Sequence, residues 1–390
     1  MRLQVERRTV SKPPYRVPLM SEIADLPWNG FNAISTFSGC GGSSLGYKMA
    51  GFRVLWASEF IPAAQETYRA NHPKTILDTR DIRQVKPEDI LAAIGMKPGE
   101  LDLFDGSPPC ASFSTAGARE AGWGKVKKYS DTTQRTDDLF FEFVRLINGI
   151  QPKVFVAENV SGLVKGTAKG YFLEILGALK ACGYKVSCRV LDAQWLGVPQ
   201  SRQRTIFVGV RNDLDCEPVH PVPLAYRYTV RDALPWITKV VHDTSGAFGA
   251  GDITNRPSPA ITVGVNSLNS RHFQVEAECD ISRFAIGKEW DRVKTGGQSS
   301  KYFSLQKPDL DKPCPCVTQT AGNTGAAGVC HPTEKRKFSI AELRRICAFP
   351  DDFILKGSYA QQWERLGRAV PPVMMSHIAA TVRDQILRKL

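Results

Sequence analysis

From Phe31 onward, short apolar runs alternate with stretches whose apolar residues recur every three or four positions. The runs Ala33–Phe37, Val54–Ser58, Leu101–Asp105, Val154–Glu158, Lys185–Leu191 and Thr205–Val210 are short enough to be strands and apolar enough to be buried ones. Helical spacing separates several of them, at Ser43–Ala50, Pro62–Asn71, Asp138–Gly149 and Tyr171–Cys182. Strands that alternate with helices pair in parallel, because a helix is the usual crossover back to the same end of a sheet. The pattern predicts an α/β fold with a doubly wound sheet.

The texture breaks after Val210. Residues 211–335 are rich in Pro, Gly, Asn and Ser, with short Thr/Val pieces such as Pro259–Val265 and Cys316–Thr320. They read as a small, irregular, mostly β domain inserted into the first. Helical spacing returns at Ser339–Cys347 and Pro372–Leu390, so residues 336–390 should pack back on the large domain of residues 30–210. Residues 1–29, with Pro13, Pro14, Pro18 and Pro27, read as a basic extended arm. A chain of 390 residues suits two domains, one large enough for a full core.

Composition narrows the class. With 42% hydrophobic and 23% charged residues the chain is globular rather than disordered. No apolar run reaches the ~18 residues of a membrane span, and the N-terminus lacks the apolar core of a signal peptide. A cytoplasmic, membrane-free monomer is the expectation. Ten cysteines at irregular spacing then read as reduced thiols. Lys and Arg total 51 against 39 Asp and Glu, a net charge of +12 that favours a polyanionic partner.

Two strand ends carry candidate chemistry. After the first strand comes Phe37-Ser38-Gly39-Cys40-Gly41-Gly42, a glycine turn into a helix that lets a ligand approach the backbone. Glu59 ends the second strand, where an acid can accept from ribose hydroxyls. This pattern alone leaves NAD and S-adenosylmethionine equally open. The strand Leu101–Asp105 runs into Gly106-Ser107-Pro108-Pro109-Cys110, which places a thiol on a stiff loop at the ligand-binding edge of the sheet. Glu158-Asn159-Val160 ends the next strand, and Arg202 and Arg204, two residues apart in an extended segment, project to one side. Each has a plain alternative: a tight turn, a buried structural thiol, a surface acid, a solvated arginine pair.

Together the segments resemble the cytosine-C5 DNA methyltransferases of bacterial type. The resemblance covers nearly the whole chain, in the family's order. It runs through Phe37–Gly42, Glu59, Asp81-Ile82, Pro108-Pro109-Cys110, Glu158-Asn159-Val160 and Gln200-x-Arg202-x-Arg204 to a variable region. It closes with Arg336–Phe353 and Gly367-Arg368-Ala369-Val370-Pro371-Pro372. The resemblance implies a Rossmann-like methyltransferase domain with residues 211–335 as target-recognition domain. It also implies methyl transfer from S-adenosylmethionine to C5 of a flipped cytosine in double-stranded DNA. Cys110 would add to C6. Glu158 would bind N3 and supply the proton, Arg204 would hold O2, and Arg202 would support Glu158 or the base. Phe37, Gly39, Gly41, Gly42, Glu59, Phe60, Asp81, Ile82, Pro109 and Leu139 would line the cofactor. The segment Thr115–Arg135 would close over DNA, with Arg119, Lys125, Lys127, Lys128 and Arg135 on phosphates. A restriction endonuclease acting separately would be the cognate partner.

The chain departs from the family pattern at Ala111-Ser112 (usually Gln-Pro), Ser35 (often Asp), Cys347 (usually Gln) and Arg368 (usually Asn). None of these changes touches Cys110, Glu158 or Arg204. Cys314-Pro315-Cys316 with Cys330-His331 lacks the usual zinc spacing, so no metal is expected. A transfer-RNA cytosine methyltransferase is the nearest rival, disfavoured by the length of residues 211–335. A catalytically silent binding module and a dehydrogenase are weaker readings. The charge is uneven: residues 211–335 hold fourteen basic and fourteen acidic residues, while 1–20 hold five against one and 117–135 five against two. The surplus thus lies mainly on the arm, the closing loop and the return at 336–368, which holds seven against four, leaving a neutral reader of sequence.

Overall fold

The structure, a computed structural model, describes residues 11–109, 127–129, 132–134, 138–164, 169–237 and 275–390. Its strands are β1 (Asn32–Thr36), β2 (Arg53–Ser58), β3 (Ile76–Asp78), β4 (Leu103–Gly106), β5 (Lys127–Tyr129), β6 (Thr132–Gln134), β7 (Val154–Val160), β8 (Tyr184–Asp192) and β9 (Gln203–Arg211). Seven of them form one sheet in the order β3-β2-β1-β4-β7-β9-β8, and β5 and β6 pair as a separate antiparallel ribbon. The six strands expected from the apolar runs are all present. The three-residue edge strand β3 was too short to leave a pattern.

Alternation along the strands sorts the side chains onto two faces. On one face Ile34, Phe104, Phe155 and Phe207 pack with Leu139, Phe143 and Ile147 of the helix Leu139–Ile150. On the other, Ala33, Leu103, Val154, Val156 and Val208 pack with Tyr47 and with Met374, Met375, Ile378 and Val382 of the C-terminal helix Pro372–Gln385. That C-terminal helix lies tightly against the helix Gly42–Met49: a Cβ at Gly46 would stand 2.5 Å from the Met375 Cβ. The return of the chain to the first domain is therefore part of its core.

The sheet is not parallel throughout. β9 lies between β7 and β8 and is antiparallel to both. The reason is the short link between β8 and β9, which contains only the one-turn helix Ala193–Trp195. A parallel return needs a dozen or more residues and usually a full helix. This reversal matters for the site, because it sets the start of β9 beside the C-terminal end of β7.

The insert differs from expectation. Beyond Arg211, which ends β9, the described residues up to 335 hold no strand, only isolated bridges, short helices such as Ala285–Trp290 and one-turn helices. The Thr/Val piece Cys316–Thr320 is irregular, and Pro259–Val265 lies outside the described residues. Val230, Ala233, Leu234, Cys314 and Val317 pack with Leu343, Phe349 and Trp363, so both stems of the insert are built into the main body. A small separate core of Ile281, Ile286, Val293, Leu305 and Cys330 lies beyond them. Pro and Gly every few residues leave no stretch long enough for a regular ladder.

The described part of the arm is a strap. Tyr15 is enclosed, its hydroxyl donating to the Arg345 carbonyl at 2.7 Å and its ring 5.0 Å from Tyr228. Lys12 pairs with Asp232 at 2.7 Å, and Arg16 pairs with Glu22. Two of the arm's cations are thus committed within the protein rather than held out for phosphates. Among the described residues no helix is long and apolar enough to cross a membrane.

A buried ion cluster fixes the join between insert and return. Glu342 accepts from both terminal nitrogens of Arg336, at 2.7 and 2.8 Å, and from the backbone N–H of Ser339. His331 stands 3.6 Å away, fully buried and held near pKa 3 by that burial. These contacts hold the Glu342 carboxyl down to about 2 despite its burial. Removing one member of such a pair strands the other charge. Glu342→Gln should cost about 3 kcal/mol in urea unfolding. The wild type's contribution is complete above the ordinary value of 4.5 and is lost as pH falls towards 2, so the variant should show a shallower acid dependence in that window.

Candidate active site

The first half of the site follows β1. Phe37, Gly39 and Gly41 all have left-handed backbone, with φ of 53°, 56° and 92°. Gly41 caps the helix Gly42–Met49, and the turn closes through its N–H donating to the Ser38 carbonyl at 2.8 Å. Phe37 pays no glycine's discount: a left-handed non-glycine residue costs about 1 kcal/mol, strain of the kind found at functional sites.

The three glycines do different work. A Cβ at Gly39 would meet nothing within 4 Å, so the turn opens into space there. A Cβ at Gly41 would lie 2.2 Å from the His72 ring, and one at Gly42 would lie 2.4 Å from the Val370 carbonyl. Gly39 leaves room for a ligand, whereas Gly41 and Gly42 are required by the protein's own packing.

Glu59 sits under this turn. One carboxylate oxygen accepts from the Gly39 N–H and the other from the Ile61 N–H, each at 2.7 Å. Burial raises its pKa, while those two N–H groups and the charges of Arg365 and Arg368 draw it down. Each oxygen keeps a second lone pair, so the acid is oriented and can still accept from hydroxyls. Phe60 beside it is exposed. Open backbone at Gly39, an oriented acid and an exposed aromatic ring together fit a nucleoside.

The remaining expected cofactor residues are placed less directly. The Asp81 carboxylate accepts from the Arg83 backbone and guanidinium at 3.0 Å, and Arg83 also reaches Asp138 at 2.7 Å. Ile82 and Leu139 lie in the main core, and Pro109 is half-buried at the end of the described loop.

The second half forms where β7 meets β9. Antiparallel register sets Arg204 opposite Val160, which brings its guanidinium to Glu158: Arg204 Nε lies 2.7 Å from Glu158 Oε1. Burial raises the Glu158 pKa, opposed by Arg204, by Arg202 and by a hydrogen bond with Ser107. Asn159 is buried and donates from Nδ2 to the Pro108 carbonyl at 3.2 Å. The strand bearing the acid thus holds the loop that leads to Cys110.

Arg202 is anchored by backbone on two other segments of the chain. Its hydrogen bonds go to the carbonyls of Val317, Gly367 and Arg368, at 3.1, 2.8 and 3.2 Å, and to Cys316 Sγ. It ties β9 to a stem of the insert and to the return, and reaches Glu158 only through its charge. Gln200 similarly donates to Cys347 Sγ at 3.3 Å. Arg368 pairs with Glu364 at 2.7 Å. Cys330 belongs to the small core and His331 to the Glu342 cluster; among the described residues no three His, Cys, Asp or Glu gather as a metal set.

Cys110, Arg119, Lys125 and Arg135 lie outside the described residues, and for Lys127 and Lys128 only the backbone of β5 is described. That backbone is half of a paired ribbon, where the sequence read as a loop. Two residues acting on the site were not singled out from the sequence. Ser107 could have been read from its place before Pro108, but Arg365 carried no local signal because it approaches Glu59 from a distant helix.

Residues 31–384 match the family model described as C-5 cytosine-specific DNA methylase. The chain is 30% identical over 372 residues to the Type II methyltransferase M.NgoPII of Neisseria gonorrhoeae, covering 95% of this chain and 100% of that one. It is 31% identical to the Type II methyltransferase M1.HphI of Haemophilus parahaemolyticus, covering 90% and 86%. Among solved structures, a prophage-encoded E. coli protein described as a DNA modification methyltransferase aligns with a TM-score of 0.67 at 21% identity, covering 92% of this chain and 100% of that one. That last likeness concerns the fold.

The division among the glycines is testable. Gly39→Ala should fold with a loss of about 1 kcal/mol, set by its backbone alone. Gly42→Ala must displace the Val370 carbonyl and should lose several-fold more in thermal or urea unfolding. Equal losses would contradict the packing account.

Proposed function

The chain belongs to the C-5 cytosine-specific DNA methylases, and on that premise we propose that it methylates a cytosine within a short duplex DNA sequence, with Cys110 as nucleophile, Glu158 as acid and S-adenosylmethionine seated at the glycine turn. The observation that carries the reading is the Glu158–Arg204 pair at the end of β7, whose neighbour Asn159 holds the loop entering Cys110.

Cytosine C5 is a weak nucleophile, and attack at C6 is what activates it. The target base leaves the stack at a cost of a few kcal/mol and enters the site at the edge of the sheet. The Cys110 thiolate adds to C6 while Glu158 gives its proton to N3, so that no charge builds on the ring. Burial suits Glu158 to this task, because it keeps the carboxyl protonated to higher pH than an exposed one. Arg204 holds Glu158 in place and donates to the cytosine O2. Bound S-adenosylmethionine supplies an electrophilic methyl group, which C5 takes with its newly available electron pair. Loss of the C5 proton to water, departure of Cys110 as thiolate and return of the N3 proton to Glu158 restore the neutral aromatic ring.

Glu59 would accept the ribose hydroxyls, with Phe60, Asp81 and Ile82 toward the adenine and Pro109 and Leu139 toward the methionine end. Phe37 and Gly39 would form the floor of that seat. Lys125, Lys127, Lys128, Arg119 and Arg135 would contact phosphates, and the insert of residues 211–335 would read the sequence. Relatives named as Type II methyltransferases support a role beside a separate restriction endonuclease.

Purified protein with methyl-labelled cofactor should transfer label to duplex DNA, and bisulfite sequencing should locate it at one cytosine of one short sequence. Cys110→Ser should bind cofactor and transfer nothing. Glu158→Gln should slow transfer by at least roughly a hundredfold. Label on transfer RNA alone would overturn the DNA reading.

A further inference from the structure

Asp105 is the penultimate residue of β4, wholly buried, with no cation among its partners in the described residues. It lies directly opposite Ser35 of β1 in the parallel register, and two residues before Ser107. Ser35 Oγ donates to its Oδ2 at 2.7 Å and the Tyr47 hydroxyl donates to its Oδ1 at 3.1 Å. Ser38, inside the glycine turn, donates from Oγ to the Ser35 carbonyl at 2.9 Å. One carboxylate therefore joins three pieces of chain, β4 leading to Cys110, the end of β1 and the helix that follows the turn, and the Ser35 it holds is in turn bonded by Ser38 of the glycine turn.

A buried carboxylate held only by hydroxyls is costly, and an apolar or amide side chain would suit the fold better. What it offers is two acceptors in one rigid plane, able to hold Ser35 and Tyr47 together. We propose that Asp105 is a positioning residue that locks the cofactor turn to the strand carrying the nucleophile loop. The inference rests on the reading that the glycine turn seats the cofactor.

The locking form is the ionised one, since both hydroxyls donate to it. A proton on the carboxyl turns one acceptor into a donor, so one hydroxyl must reverse its role and both bonds lose their charged acceptor. The titratable groups facing Asp105 are Tyr47 on its helix, Tyr68 on the helix Pro62–Asn71 and Glu158 on β7. Burial, with the Glu158 charge adding to it, raises Asp105 to about 7. Cofactor affinity should therefore weaken as pH falls through 7. Stability moves the other way: a carboxyl raised by folding favours the folded state at low pH and loses that advantage as pH rises through 7.

The test uses the full chain and S-adenosylmethionine, with calorimetric Kd, KM and kcat measured from pH 6 to 8.5 beside thermal melts. Asp105→Asn should melt higher than wild type at pH 8.5 yet bind cofactor roughly tenfold more weakly, as expected for one lost bond to a charged acceptor. Its affinity should no longer change across pH 7, and kcat should fall less than KM rises. Asp105→Ser should share the weak binding, and the swap Ser35→Asp with Asp105→Ser should restore it by returning the carboxylate from the paired position. Wild-type affinity in folded Asp105→Asn, or a folded swap no better than Asp105→Ser, would overturn the proposal. Glu59→Gln separates the two levels. If it weakens binding while Asp105→Asn does not, the positioning role alone fails; if both bind normally, the cofactor seat is misassigned and the proposal falls with it.

Discussion

The ion pair between Glu158 and Arg204 exists because one strand runs the wrong way. In a sheet whose every strand followed its neighbour, the start of β9 would lie at the opposite edge from the end of β7. The short link between β8 and β9 forces the reversal, and the reversal carries Arg204 to the edge where α/β sheets hold their ligands. Glu158 is then buried by the sheet, held by an arginine and linked to Ser107. Burial dominates, so the carboxyl is shifted toward the protonated form that an acid needs.

The rest of the structure serves that edge. Asn159 fastens the Pro108 carbonyl, so the strand that bears Glu158 is tied to the segment before Cys110. Arg202 uses three backbone carbonyls to bind β9 to the insert stem and to residues 367–368. The returning C-terminal helix packs on the helix of the glycine turn so closely that Gly46 has no room for a side chain. The glycine turn, Glu158 and the described stems of the insert are thus all attached to the one sheet and its helices.

Much of this was legible in the sequence. Apolar runs gave the strand positions to within a few residues, because buried strands need continuous apolar character. Glu158, Arg204, Glu59 and Gly39 stood out because each ends or begins a strand at the ligand edge. What the pattern hid was three-dimensional. The reversal of β9 depends on a link length rather than on hydrophobicity. Gly41 and Gly42 look like ligand glycines but answer to His72 and Val370, distant in sequence. Arg202 matches a motif beside Arg204, yet its guanidinium is bonded to carbonyls more than a hundred residues on. Lys12 and Arg16 of the arm read as free charge in the sequence, and in the structure they pair with Asp232 and Glu22.

The central claim is that Cys110 and Glu158 act together on C6 and N3 of one cytosine. Duplex DNA carrying 5-fluorocytosine at the methylated position tests it directly, because fluorine at C5 cannot leave as a proton does and the cysteine adduct should persist. With S-adenosylmethionine present, wild-type protein should form a covalent complex that survives denaturing electrophoresis, and Cys110→Ser should form none. Methylation of ordinary DNA by a wild-type protein that leaves no such complex on the fluorinated duplex would contradict the account.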